Sequence, residues 1–148
     1  MSKKIYILIL LLPILIIACS RSSDYLTINN TKVNLIDVLS SDEETYLGLS
    51  FRESICENCG MLFEFNEKSQ KTFVMRDMMF SLDIIWIDDD VVIKIDEKLP
   101  PEGHEVSNYY SSERAITRVL EVNGGFTSEN DIKVGDKIIF NILKDESR

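Results

Sequence analysis

The sequence is poor in the residues on which most metal and nucleophilic chemistry depends. Its 148 residues include one histidine, His104, three cysteines and one tryptophan. A structural zinc site usually takes four cysteine or histidine ligands, so we do not expect an all-protein zinc site. We also find no nucleophile–base arrangement, phosphate loop or ordered metal triad. The sequence therefore predicts no metal and no cofactor, and the balance is against an enzyme.

Basic residues are scarce as well. The chain has 16 Lys and Arg against 25 Asp and Glu, a net charge of −9. A surface this acidic does not attract nucleic acid and is repelled by anionic lipid headgroups. We therefore predict that the protein does not bind nucleic acid. Nothing in the sequence predicts its oligomeric state.

The longest apolar run is Ile5–Ala18, directly after Lys3 and Lys4. Spanning a bilayer takes about 20 apolar residues, and this run is shorter. A basic start, a short apolar stretch and a small residue before the cleavage point are typical of a secretory signal. The sequence Ile16-Ile17-Ala18-Cys19 also resembles the bacterial lipobox. We therefore predict a signal peptide over 1–18 and a lipid on Cys19, the alternatives being an ordinary signal peptide or an uncleaved anchor.

A lipid on Cys19 predicts where the protein is located. Two or more acyl chains give a stable anchor, and residues 19–24 provide a short tether. Loss of Lys3 and Lys4 with the leader would change the net charge from −9 to −11, which leaves the lipid as the membrane contact. We expect an exported protein of the bacterial cell envelope, held on the outer membrane if the host has one and otherwise on the outer face of the cell membrane.

The rest of the chain, 25–148, is predicted to form a single, mainly β domain. Apolar–polar alternation and turn residues mark about seven short strands. We place them at 25–28, 32–36, 61–65, 72–75, 82–87, 91–95 and 115–122, and the strand 137–143 closes the domain. Short strands with few helices favour a small barrel or a sandwich.

Two short helices complete the prediction. Ser41 has Glu44 three residues later, the spacing of a capping box, and the helix that follows should run to about Leu49. A second helix of one turn is predicted near Ser128, with that serine as its cap.

Six short motifs carry a resemblance to a known family. In order, they are Gly48-Leu49-Ser50-Phe51-Arg52, Gly60-Met61-Leu62-Phe63-Glu64-Phe65, Phe73-Val74-Met75-Arg76-Asp77-Met78, Leu82-Asp83-Ile84, Arg118-Val119-Leu120-Glu121-Val122 and Lys133-Val134-Gly135-Asp136. Together they resemble the family called domain of unknown function 192, over about Thr27–Leu143. The resemblance implies a mainly β domain, often exported, and no established activity.

Cys56 and Cys59 form the sharpest local feature, a CxxC pair. Outside the cytoplasm the pair can close into a disulfide that staples a loop. It can also act as a thiol-redox couple, although no thioredoxin-like pattern surrounds it. A third interpretation is copper(I) binding, because thiolates and thioethers are its ligands. The nearby methionines are Met61, Met75, Met78 and Met79, which could equally fill a core.

Charged residues inside apolar segments indicate a second site. Charges are rarely buried unless they are paired. One interpretation is a polar cluster that binds a small polar or anionic ligand, with the two arginines of the looped segments holding its polar group. The other is a set of internal ion pairs, such as Arg76 with Asp83. The ligand-binding candidates are Arg52, Met75, Arg76, Asp83, Arg118 and Glu121.

Overall fold

The computed structural model describes residues 24–40 and 42–143. The predicted leader, the lipid position Cys19, most of the tether and the capping Ser41 lie outside the described residues. The elements are β1 (Tyr25–Ile28), β2 (Thr31–Leu39), α1 (Asp42–Leu47), β3 (Cys59–Phe73), β4 (Leu82–Asp88), β5 (Val91–Leu99), β6 (Tyr110–Asn123), α2 (Phe126–Glu129) and β7 (Ile138–Asn141). The prediction of a mainly β fold with seven strands and two short helices is confirmed.

All seven strands belong to one sheet, in the order β5-β4-β6-β3-β2-β1-β7. The sheet curls until its two edge strands approach each other. An antiparallel bridge joins Val91 to Lys137, and the amide of Val92 donates to the carbonyl of Asp136 at 2.9 Å. Of the two predicted architectures, the structure is thus the barrel-like one, a curled half-barrel whose edge strands meet near Val91 and Lys137.

Neighbouring strands are antiparallel except for β2 and β3, which are parallel, with Asn34 opposite Cys59 and Leu39 opposite Phe63. Parallel neighbours need a crossover connection. Residues 40–58 form it, and they include α1 and the loop after it. The crossover covers one face of the sheet, and this is the face on which the candidate site lies.

The sheet is buried on both faces. The first cluster, which we call the barrel core, takes residues from every strand and from α2, among them Leu62, Ile85 and Leu120. The second core includes Leu49, Phe63, Met75, Trp86 and Val119. Successive residues of β4 alternate between the two clusters, as the pleat of a strand requires.

Two predictions of local structure are wrong. The strands placed at 61–65 and 72–75 are parts of one strand, β3, because β6 pairs with it on both sides of an irregularity between Glu64 and Ser69. Ser128 lies inside α2 and donates to the carbonyl of Gly125 at 2.8 Å. Neither helix in the described ranges has the length and apolar character needed to cross a membrane.

Candidate functional site

A cavity of about 330 Å³ lies between the crossover and the second-core face of β3 and β6. Ligand sites are typically roughly 300–1,000 Å³, so this volume suits a small molecule. The lining residues are Thr45, Tyr46, Leu47, Gly48, Leu49, Ser50, Phe63, Phe65, Lys71, Thr72, Phe73, Val74, Arg76, Met78 and Glu121.

Four of the six motifs that carry the family resemblance supply lining residues. Gly48 to Ser50 come from the first motif, and Phe63 and Phe65 from the second. Arg76 comes from the third and Glu121 from the fifth. Segments far apart in sequence therefore converge on one cavity, and the parallel crossover is what brings the first of them there.

Backbone hydrogen bonds hold the rim of the cavity. The amide of Phe51 donates to the carbonyl of Asp77 at 2.8 Å, and the hydroxyl of Ser50 donates to the carbonyl of Arg76 at 2.8 Å. Phe51 and Asp77 both have positive φ, at 63° and 53°, which is uncommon for residues other than glycine. Strained backbone of this kind clusters at ligand sites, and here it joins the two segments that border the cavity.

Glu121 lies at the floor of the cavity. Its pairing with Met61 of β3 and Ile84 of β4 places it in the middle of the sheet, and it is 5% exposed. No hydrogen bond or ion pair reaches its carboxyl group from the side chains that the structure describes. Burial raises the pKa of Glu121 from 4.5 to about 8, because a carboxylate loses its hydration there and gains no compensating partner.

Two cations line the cavity with Glu121. The guanidinium of Arg76 stacks on the ring of Tyr46 at 4.2 Å and donates to the Tyr46 carbonyl at 3.4 Å. The ammonium of Lys71 lies 4.3 Å from the centre of the Phe65 ring. Stacking on aromatic faces orients both cations without neutralising them.

The apolar wall of the cavity is aromatic. The ring of Phe63 meets that of Phe73 edge to face, with centroids 5.0 Å apart. Phe73 in turn meets Trp86 at 5.6 Å. Such edge-to-face pairs fix ring positions, so the fold itself holds this wall in place. Trp86 itself is fully buried and lies one ring away from the cavity.

Asp83 lies away from the cavity, on the barrel-core face. It is fully buried, and its carboxylate accepts from the amides of Gly125 at 2.8 Å, Thr127 at 2.9 Å and Lys98 at 2.7 Å. It therefore caps the N-terminus of α2 from across the sheet, which is the role that the sequence assigned to Ser128. The predicted ion pair between Arg76 and Asp83 does not form.

Three further ligand-binding candidates do not line the cavity. Arg118 pairs with Glu64 at 2.6 Å and stacks on Phe140 at 4.6 Å, so it is an internal ion pair of the kind predicted as the alternative. Met75 is fully buried in the second core. Arg52 is exposed and does not line the cavity. Of the six candidates, the structure brings together Arg76 and Glu121.

Cys56 and Cys59 are joined by a disulfide, with their Cα atoms 5.1 Å apart. Asn123 donates to the carbonyl of Cys56 at 2.9 Å, which fixes the loop beside the start of β3. A disulfide has no thiolate to offer copper(I). Within the described ranges, no group of three or more His, Cys, Asp or Glu side chains could hold a metal ion.

Sequence reasoning missed Lys71 and Tyr46. Lys71 lies in the polar stretch Asn66–Lys71, where one lysine has no pattern that distinguishes it from its solvated neighbours. Tyr46 belongs to a helix too short to show a face. A signal for either residue would have required the register of β3, which the sequence did not predict.

In the described residues, these features define a mainly β half-barrel with a small, partly charged cavity. The chain belongs to the family called domain of unknown function 192, described as "Uncharacterized ACR", whose model matches residues 25–140. No curated protein matches the chain.

Two solved structures resemble it. A protein from Sinorhizobium meliloti 1021, provisionally described as a transcription regulator, has a TM-score of 0.71 at 22% identity, over 80% of this chain and 94% of its own. A protein of unknown function from Novosphingobium aromaticivorans DSM 12444 has a TM-score of 0.70 at 28% identity, over 78% of this chain and 83% of its own. The first likeness concerns the fold alone.

Proposed function

We propose that this chain is an exported, lipid-anchored protein of the cell envelope whose β domain binds a small ligand in the cavity above Glu121. The observation that carries the proposal is the carboxyl group of Glu121, which is almost completely buried, borders the cavity and has no partner among the described side chains.

A buried polar group without a partner destabilises a fold. The cost is about 1–3 kcal/mol for a neutral group and more for a charge. Glutamine or an apolar residue at 121 would avoid part of it. Groups that reduce stability in this way are typical of functional sites, and a ligand that hydrogen-bonds to Glu121 would supply the missing partner.

Binding fits the cavity better than catalysis does. Acid–base chemistry on a substrate commonly pairs two titratable groups with separated pKa values. Glu121 is the one carboxyl group among the lining residues. Lys71 and Arg76 are suited to hold a ligand, and no described lining residue is positioned as a nucleophile beside a base.

Anchoring is supported by the sequence of the leader. A basic start, the apolar run Ile5–Ala18 and the Ile16–Cys19 motif favour lipidation of Cys19. The described domain begins at Asp24, so the tether would hold it within a few residues of the membrane. The disulfide of Cys56 and Cys59 suits an oxidising compartment outside the cytoplasm.

A thermal-shift screen against small sugars, anions and amines tests the binding proposal, since a ligand selective for the folded state raises its stability. Leu47 lines the cavity and is 57% exposed, so Leu47→Trp should block the mouth while the protein still folds. Val134→Trp changes an apolar residue of similar exposure, 60%, away from the cavity. Shifts that persist in Leu47→Trp would refute binding in this cavity.

The anchor is tested separately. Cells expressing the full chain are fed a labelled fatty acid, and the protein is isolated. Label should be present in the wild type and absent from Cys19→Ala, with Cys56→Ala as the matched control that keeps the label. Equal labelling of the wild type and Cys19→Ala would refute the lipid anchor without bearing on the cavity.

A further inference from the structure

We propose that the ligand of this cavity is a small hydroxylated anion, a carboxylate or a phosphate ester. Lys71 and Arg76 would bind its anionic group, and Glu121 would hydrogen-bond to a hydroxyl at its other end. The inference rests on the proposed function, because it assigns a chemical class to the ligand of the same cavity.

The first support is the state of the two cations. Some cations elsewhere in the domain pair closely with carboxylates, such as Lys68 with Asp88 at 2.6 Å and Lys133 with Asp131 at 2.7 Å. Lys71 and Arg76 make no such pair with the side chains that the structure describes. In a chain with net charge −9, two cations that border one cavity and make no such pair with a described side chain are suited to an anionic ligand. An anionic ligand would accept charge-assisted hydrogen bonds from both cations.

The second support is the floor of the cavity. A carboxylate there would repel an incoming anion. Burial holds the pKa of Glu121 at about 8, so at pH 7 the carboxyl group is largely neutral. A neutral carboxyl group has one O–H donor and can also accept. A hydroxyl group can likewise donate and accept a hydrogen bond. A neutral Glu121 and the cations Lys71 and Arg76 therefore favour the same kind of ligand.

The charged and titratable groups around Glu121 agree with this assignment. From β3, Lys71 borders the cavity, and from the segment after β3, Arg76 does so. From α1, the titratable group with a described side chain in the lining is Tyr46. Asp83 of β4 lies on the opposite face of the sheet. Asp77, in the segment between β3 and β4, has its carboxylate 3.4 Å from Nδ1 of His104. Loss of the Glu121 proton would therefore replace a neutral floor by a negative one.

The experiment compares four related probes that differ in charge: glucose, gluconate, glucose 6-phosphate and glucosamine. Calorimetric titrations use the wild-type chain from residue 20 onward, without the lipid, at pH 6.5, 7.5 and 9. We expect gluconate or glucose 6-phosphate to bind at least tenfold more tightly than glucose at pH 6.5, and glucosamine to bind most weakly. The two anions separate a carboxylate-selective site from a phosphate-selective one.

Matched variants assign the effect to residues. Lys71→Gln and Arg76→Gln should each weaken anion binding about tenfold, the loss expected for one charge-assisted contact. Lys32→Gln is the control, since Lys32 also stacks on an aromatic ring, Tyr25 at 4.0 Å, but does not line the cavity. Anion affinity should fall between pH 7.5 and 9 in the wild type and should fall less in Glu121→Gln.

The outcomes are separable from those of the proposed function. Tightest binding by glucosamine at pH 6.5 and 7.5, where a substantial part of its amine is charged, would overturn the inference and would indicate a cation site. Equal binding of glucose and the anions would also overturn it. In both cases the proposed function stands if Leu47→Trp abolishes the binding. If none of the four probes binds, the inference fails, and the wider thermal-shift screen decides the proposed function alone.

Discussion

Replacing Glu121 by glutamine should make this protein more stable at neutral pH. The substitution keeps the shape of the side chain and removes its ability to ionise. In the folded protein, burial raises the pKa of Glu121 to about 8, whereas in the unfolded chain the ordinary value is 4.5. Between these values the unfolded chain gives up the proton and the folded protein keeps it, so folding becomes less favourable as pH rises.

The expected magnitude follows from the difference in pKa. Each unit of separation corresponds to about 1.4 kcal/mol. Below pH 4.5 both states are protonated, and Glu121 and glutamine should give similar stabilities. At pH 7 the wild type should be less stable than Glu121→Gln by about 3 kcal/mol, and above pH 8 the difference should level off at roughly 5 kcal/mol.

Urea denaturation followed by fluorescence measures this difference, because Trp86 is the single tryptophan and is fully buried. Titrations of both proteins at pH 4.5, 6, 7 and 9 give the free energy of unfolding of each. Subtracting one from the other cancels the titration of every other group. The difference should increase with pH, and most of the change should fall between pH 5 and 8.

Asp83→Asn is the matched control, because Asp83 is a buried carboxylate whose acceptors are in use. An amide nitrogen cannot accept the N–H groups that Asp83 accepts, so this substitution should destabilise the protein by about 1–3 kcal/mol. A difference between the wild type and Glu121→Gln that does not vary with pH would mean that Glu121 is partnered or hydrated in the folded state. That result would refute the premise of the proposed site.

Two further predictions concern stability alone. Cys56→Ser with Cys59→Ser should lower the free energy of unfolding by about 2 kcal/mol, the chain-entropy value for so short a loop, in urea titrations without reductant; no change would mean that the disulfide is not a structural staple. Gly124→Ala should cost about 1–3 kcal/mol, because a Cβ there would clash with the side chain of Ser81. Gly103→Ala, where a Cβ meets nothing within 4 Å, should be neutral in the same assay, and equal effects of the two alanines would contradict the packing argument.

Much of the fold could be predicted from local signals. The residues Asn29 and Asn30 favour a tight turn with positive φ, and the structure has φ of 49° and 66° there. The strand β4 was clear because its residues other than Asp83 and Asp88 are apolar, which reflects burial on both faces. The continuity of β3 was not predictable, because its middle, Asn66–Lys71, is polar, and the strand continues through pairing with β6 that resumes at Ser69 and Gln70.

The site was predictable only in part, for a related reason. The alternation of side chains along a strand predicts that Asp83 and Glu121 each point to one face of the sheet. It does not predict which face carries the cavity. That depends on the crossover 40–58, whose path follows from the parallel pairing of β2 with β3. Parallel pairing is a long-range property that no local pattern of the sequence encodes.

The two buried carboxyl groups show how the same residue property leads to opposite outcomes. Both lie on central strands of a sheet that is buried on both faces, so neither side chain can reach solvent by turning over. Asp83 faces the start of α2, where backbone amides supply donors. Glu121 faces the second core, where Phe63 and Gly48 are among its neighbours, and no described side chain donates a hydrogen bond to its carboxyl group. Burial favours the protonated form of a carboxyl group in that position, so the proposed ligand should bind with an affinity that depends on the titration of Glu121.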